Sequence, residues 1–132
     1  MRDYEREMTS FLQLAWISQQ KQQLPPRDKF LILAGEAACN AGWPQVAHEC
    51  RELVLKHNPA HLIGNDESFV EAMKSDDFTT FLKPLYRFCS YEQAEHLLTE
   101  LKALPTDDAD DEEEDVHATC SRLLWNLSGG LE

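Results

Sequence analysis

Apolar residues recur at spacings of three and four along most of this chain, the period of a helix with one buried side. The pattern is clearest from Leu31 to Pro59, LILAGEAACNAGWPQVAHECRELVLKHNP. Phe30, Leu31, Ala34, Ala37, Ala38 and Ala41 fall on one side of a first helix. Ala34, Gly35, Ala37, Ala38 and Ala41 are all small, so another helix can approach closely. Gly42 offers a low-cost left-handed position to end that helix, and Pro44 suits the opening turn of the next, where no amide donor is needed. Val46, Ala47, Cys50, Leu53 and Val54 form the second stripe. Asn58-Pro59 stops it, since proline lacks a donor and disfavours helix in the residue before it. So short a turn folds the two helices back antiparallel.

The same period predicts helices near 3–20, 27–41, 44–57, 67–74, 77–89, 91–103 and 116–128. Tyr4, Met8, Phe11, Leu12, Ala15 and Trp16 mark the first, and Pro25-Pro26 forbids its continuation. His61 to Asn65 reads as a loop that tucks Leu62 and Ile63 inward. Asp66 is placed to cap a short helix with Phe69, Val70 and Met73 on one side, and Ser75 or Asp76 to cap the next. Pro84 either kinks that helix, at ~3 kcal/mol, or divides it. Ser90 with Gln93 matches a capping box before a helix that buries Ala94, Leu97, Leu98 and Leu101. Cys120, Leu123, Leu124 and Leu127 follow Val116 on one side of the last helix. The predicted core includes Phe11, Leu31, Ala34, Ala38, Ala47, Cys50, Val54, Phe81, Leu85, Ala94 and Leu98.

Gly35, Ala47 and Pro59 fall at the spacings of a tetratricopeptide motif, with Leu31, Ala34 and Ala38 in the apolar places of its first helix. Arg51 stands where the second helix of that motif has an aromatic. Phe78, Phe81, Leu82 and Leu85 repeat the first-helix spacing, with Leu82 in place of the glycine; Ala94, Leu98 and Pro105 repeat the second. Over about half its length the chain thus resembles a degenerate tetratricopeptide-like protein. That resemblance implies an all-α fold of antiparallel helical hairpins in a right-handed stack, with a leading helix and a C-terminal capping helix. It also implies a concave face made by the first helices of the pairs. The outward residues there would be Lys29, Ile32, Glu36 and Asn40 from one copy and Thr79, Lys83, Tyr86 and Arg87 from the other. Such domains bind extended peptides or helices in that groove; the two-carboxylate-clamp residues that some of them use are not present.

Charge adds a boundary. The net charge is −12, which opposes binding to nucleic acid. Eight of the carboxylates lie in Asp107 to Asp115, and without those eight the rest of the chain carries −4. With Ala109 as its one apolar residue, that run predicts a flexible acidic linker over 106–115, between a helical domain at 1–105 and a capping helix at 116–130 packed on the same domain. No apolar run approaches the ~20 residues that span a bilayer. Cys39, Cys50, Cys89 and Cys120 are widely spaced with no secretory signal ahead of them, so they read as small apolar residues in a reducing cytoplasm.

Candidate chemistry is sparse. His57 and His61 have the spacing of a helical zinc pair, but Pro59 between them breaks the helix that would align them. No Cys-x-x-Cys, His-Glu-x-x-His or phosphate-binding glycine loop occurs, so neither a metal, a cofactor nor catalysis is expected. Trp43, beside Pro44, is either a plug between helices or an exposed contact residue. Two functions follow. One is a non-catalytic module that binds a protein or peptide partner through Lys29, Glu36, Asn40, Thr79, Lys83, Tyr86 and Arg87. The other is a small homo-oligomer, a homodimer for example, that pairs through its apolar terminal helices. Lys83 and Arg87 project together from one helix, which also makes them a landing place for the acidic run; a plain solubilising linker is the alternative.

Overall fold

The computed structural model of the protein describes residues 4–89, positions 93, 96 and 97, and residues 116–128. Six helices and one 3-10 turn make up the elements defined there: α1 (Tyr4–Gln20), α2 (Leu24–Ala41), α3 (Pro44–His57), the 3-10 turn Leu62–Asn65, α4 (Phe69–Ala72), α5 (Asp76–Phe88) and α6 (Val116–Leu127). The described residues contain no strand and no helix long and apolar enough to cross a membrane. Positions 93, 96 and 97 are helical and fall inside the predicted 91–103 segment. Ala94, Leu98 and the acidic run lie outside the described residues. Leu97, expected to be buried, is exposed.

α2 is the centre. Phe30 to Gly35 are six consecutive buried residues, so the middle of this helix is buried on all sides rather than along one stripe. Its neighbours are α1, α3, α4 and α5. Ile32, expected to point outward, is therefore fully buried. α1 carries two buried stripes, Met8, Phe11, Leu12 and Ala15 on one and Glu7, Ser10, Leu14 and Ser18 on the other, in keeping with its two main neighbours, α2 and α6.

Local signals set most boundaries. Gly42 is left-handed (φ 85°), and the Trp43 and Gly42 amides donate to the Ala38 (2.8 Å) and Cys39 (3.2 Å) carbonyls, a Schellman cap. The same pair of bonds closes α1, from Gln23 to Ser18 (2.8 Å) and from Gln22 to Gln19 (2.9 Å). There Gln22 holds the left-handed position (φ 61°) that glycine ordinarily takes. α2 begins at Leu24, three residues before the expected start, because Pro25 and Pro26 fit a first turn that needs no donors.

Ser68, not Asp66, caps α4, its Oγ accepting from the Glu71 amide at 3.1 Å. With α4 only one turn long, Phe69 and Ala72 face inward and Val70 is exposed. Ser75 caps α5. That helix runs through Pro84 unbroken, since Pro84 lies on the exposed side while Phe78, Leu82 and Leu85 are buried on the other.

Gly35 was expected to let a helix come close. What comes close is a ring: a β-carbon on Gly35 would stand 2.2 Å from Phe69 Cε2 and 2.6 Å from its Cζ. Phe69 is 1% exposed and packs edge-on against Phe78 (5.5 Å between centroids), so α4 is pinned to α2 through one aromatic. Gly35→Ala should accordingly lower stability by ~1–3 kcal/mol in chemical denaturation, with part of the loss recovered when Phe69→Leu is added. An unchanged denaturation midpoint for Gly35→Ala would refute the close fit.

Candidate functional site

α1, α3 and α6 run in one direction and α2 in the other. At one end Trp43, before α3, donates its indole N–H to Glu5 of α1 (3.0 Å) and shares a cavity with Cys120 and Ser121 of α6. At the other end Arg27, at the start of α2, donates to Gln19 of α1 (2.7 Å) and to the Leu53 carbonyl of α3 (3.3 Å), beside Leu127 and Ser128. Trp43 is half-buried, its ring against the core and its N–H tied to α1, so it plugs the end of the helix bundle.

α6 packs chiefly on α1 and touches α3 only lightly. A groove results along α3. It has three adjoining parts: about 210 Å³ between Trp43, Val46, Leu124 and Trp125; about 480 Å³ over Leu53, Leu55 and Leu124; and about 190 Å³ by His57 and Leu127. Glu49, Glu52 and Lys56 of α3 stand along it. Trp125 lines its first part and is 56% exposed. Glu49 and Lys56 have no hydrogen bond or ion pair among the described residues, whereas Glu52 pairs with Arg51 at 3.2 Å.

The residues expected to bind a partner stand elsewhere. Lys29, Asn40, Thr79, Lys83 and Arg87 are exposed, and Glu36 and Tyr86 are half-buried. α5 meets α2 through its last turns: the Tyr86 hydroxyl donates to Glu36, Lys29 Nζ lies 4.7 Å above the Phe88 ring, and Phe88 packs on Phe30 (5.2 Å). Lys29, Glu36 and Tyr86 are thus brought together and engaged with α2 or α5. Thr79 hydrogen-bonds within its own helix, to the Ser75 carbonyl at 2.9 Å. Arg51, in place of the motif's aromatic, spans instead to the Asp66 carbonyl (2.9 Å) and holds the 62–66 segment on α3.

A polar cluster unmarked by any sequence motif joins three helices. Asp28 accepts from Arg27 Nη2 (2.8 Å) and Nε (3.2 Å) through one oxygen and meets His57 Nδ1 (2.6 Å) through the other. Arg27 and Asp28 are both buried. Ser128 lines the cavity by His57, which brings to mind a Ser–His–Asp arrangement. The chemistry does not follow. Ser128 Oγ donates to the Trp125 carbonyl (2.9 Å), and it stands at the carbonyl end of α6, which repels rather than stabilises an oxyanion.

His57 ends α3 and His61 caps the start of the 3-10 turn, and among the described residues no three His, Cys, Asp or Glu side chains are disposed to hold a metal. No disulfide forms among the cysteines. Burial, then the Glu36 carboxylate, raises the Cys39 thiol to about 11. Burial raises Cys50 further, aided by Cys120, Glu49 and Cys39, and raises Cys89 as well. Thiols so held are protonated at neutral pH and poor nucleophiles.

Comparison with family models, with curated proteins and with solved structures finds no match for this chain.

Two measurements test the polar groups. Removing the Asp28 carboxylate strands a buried guanidinium, so Asp28→Ala should cost roughly 3 kcal/mol in urea denaturation. A loss no larger than that of an exposed ion pair would show that the cluster does not hold the helices. His61 accepts from the Ile63 amide through Nδ1 (3.0 Å), which requires an unprotonated nitrogen, and burial lowers it below 6.5 against a smaller upward pull from Asp28. The unfolded chain therefore binds this proton more tightly; the contribution is complete above 6.5 and is lost as pH falls through and below it. An NMR titration should place the His61 midpoint under 6.5, and a midpoint above it would overturn this account.

Proposed function

We propose that this protein is a non-catalytic helical interaction module that holds a short segment of a partner protein in the groove between α3 and α6. The observation that carries this reading is a cavity lined by the core residues Leu53 and Leu124 and the half-buried Leu55, continued by a tryptophan that is 56% exposed. Exposed tryptophan beside a pocket is the commonest kind of binding hot spot. α3 has 14 residues, so a groove along it is ~20 Å long, room for about four turns of helix or a shorter extended strand. In this proposal α2 and α3 are the tetratricopeptide-like hairpin, α1 the leading helix and α6 the capping helix. The antiparallel α2–α3 pair supports that assignment. The contact of α5 with α2 only through its last turns is looser than successive pairs in a regular stack. The groove proposed here also differs from the face that such a stack would use.

The exposed Trp125 on a terminal helix favours a second reading, in which the groove takes α6 of another copy. Selection of short peptides on the full chain separates the possibilities. Peptides that use the groove should lose affinity about tenfold or more on Trp125→Ala and keep it on Lys83→Ala with Arg87→Ala. Dependence on Lys83 and Arg87 instead would move the site to α5, and indifference both to Trp125→Ala and to the Lys83 and Arg87 pair would sink the proposal. Light scattering that shows a dimer converted to monomer by Trp125→Ala would favour the second reading.

A further inference from the structure

We infer that the occupant of the groove is a basic amphipathic helix of another protein, a deepening that rests on the interaction-module reading above. The floor is apolar, while the α3 side presents Glu49 and Glu52, three residues apart and so neighbours on one face of the helix, with Lys56 the single cation of that wall. Glu49 has no partner among the described residues, and Glu52 is largely exposed beside its contact with Arg51. The chain as a whole carries −12, and eight of its carboxylates immediately precede α6 in the sequence. A segment entering this groove meets apolar side chains below, two carboxylates beside them at Glu49 and Glu52, and one ammonium, Lys56, a turn further along α3. The side chains that satisfy both are Leu, Met or Phe on one face and Lys or Arg on the flank, the pattern of a basic amphipathic helix.

Competing occupants fare worse on the same grounds. A second copy of this chain brings another −12, and its repulsion opposes self-pairing at low salt. Nucleic acid is repelled for the same reason. An acidic amphipathic helix would fill the floor but place carboxylates against Glu49 and Glu52. The long-range field also steers a basic partner toward the site, so association is fast at low salt and slows as salt screens it.

The test uses the full chain and two fluorescein-labelled peptides with the same leucine pattern, one with lysine and one with glutamate at its polar positions, read by fluorescence anisotropy. The lysine peptide should bind about tenfold tighter, the discrimination expected from two exposed ion pairs, and the gap should narrow as salt rises. Glu49→Gln with Glu52→Gln, both at exposed positions, should remove most of the gap. Replacing the carboxylates of 107–115 with Asn and Gln should leave most of it. If the two peptides bind equally and both depend on Trp125, the basic preference is overturned while the groove reading stands. If the preference disappears when 107–115 is neutralised and ignores Glu49 and Glu52, the basic peptide binds the acidic run and not the groove, which also overturns the inference. Failure of both peptides to bind removes the groove reading together with it.

Discussion

A helical stretch buried on every side has to be covered, and that requirement organises this molecule. From Phe30 to Gly35, α2 is closed to solvent on every face, so α1, α3, α4 and α5 are each needed to bury some part of it. Each large apolar side chain moved out of water there contributes on the order of 1.5–3 kcal/mol, but only if its cover is complete. Gly35 makes one part of that cover feasible. Phe69 reaches α2 at a distance that no other residue at position 35 allows without movement, so a four-residue helix becomes a fixed piece of the core. Phe78 then packs on Phe69, and α5 is located in turn.

Hydrophobic cover does not by itself fix how far one helix slides along another. The Arg27, Asp28 and His57 cluster does. It ties the end of α1 through Gln19, the start of α2, and the end of α3 through Leu53 and His57, all within hydrogen-bond distance. At the opposite end Trp43 and Glu5 tie α3 to α1 again. Two polar anchors at the two ends of an apolar bundle set its register. Burying Arg27 and Asp28 is tolerable because each satisfies the other.

Much of this was legible in the chain, and the misses have physical reasons. The helical class, the hairpin turn at Gly42 and most of the core follow from spacing and from residues with strong backbone preferences. Gln22 adopts a left-handed conformation that its side chain does not advertise, and two prolines read as a break also serve as a first turn. Ile32 shares a side of α2 with Lys29, Glu36 and Asn40, and that side is wet at its two ends, where Lys29 and Asn40 are exposed, but covered in the middle, which local spacing does not show. The Asp28–His57 pair spans 29 positions, and no local pattern encodes such a contact. The groove left one trace that could have been followed. Trp125 falls beside the stripe of Cys120, Leu124 and Leu127, and a large aromatic outside its own helix's apolar face has no core to enter.

The charges along α3 bear on how far α6 can close. Cys120, Leu123, Leu124 and Leu127 commit α6 to the core, and closing it further onto α3 would bury more apolar surface. Closure would also press Glu49, Glu52 and Lys56 against leucines, and an ionised group taken out of water without a new partner costs several kcal/mol. α6 offers no compensating cation at Leu124 or Ser128, the positions that face Glu52 across the widest part. The helix therefore stops where α1 holds it, and the space beside α3 stays open. A ligand that carries its own positive charges escapes this limit, because it can cover the leucines and neutralise the glutamates in one step.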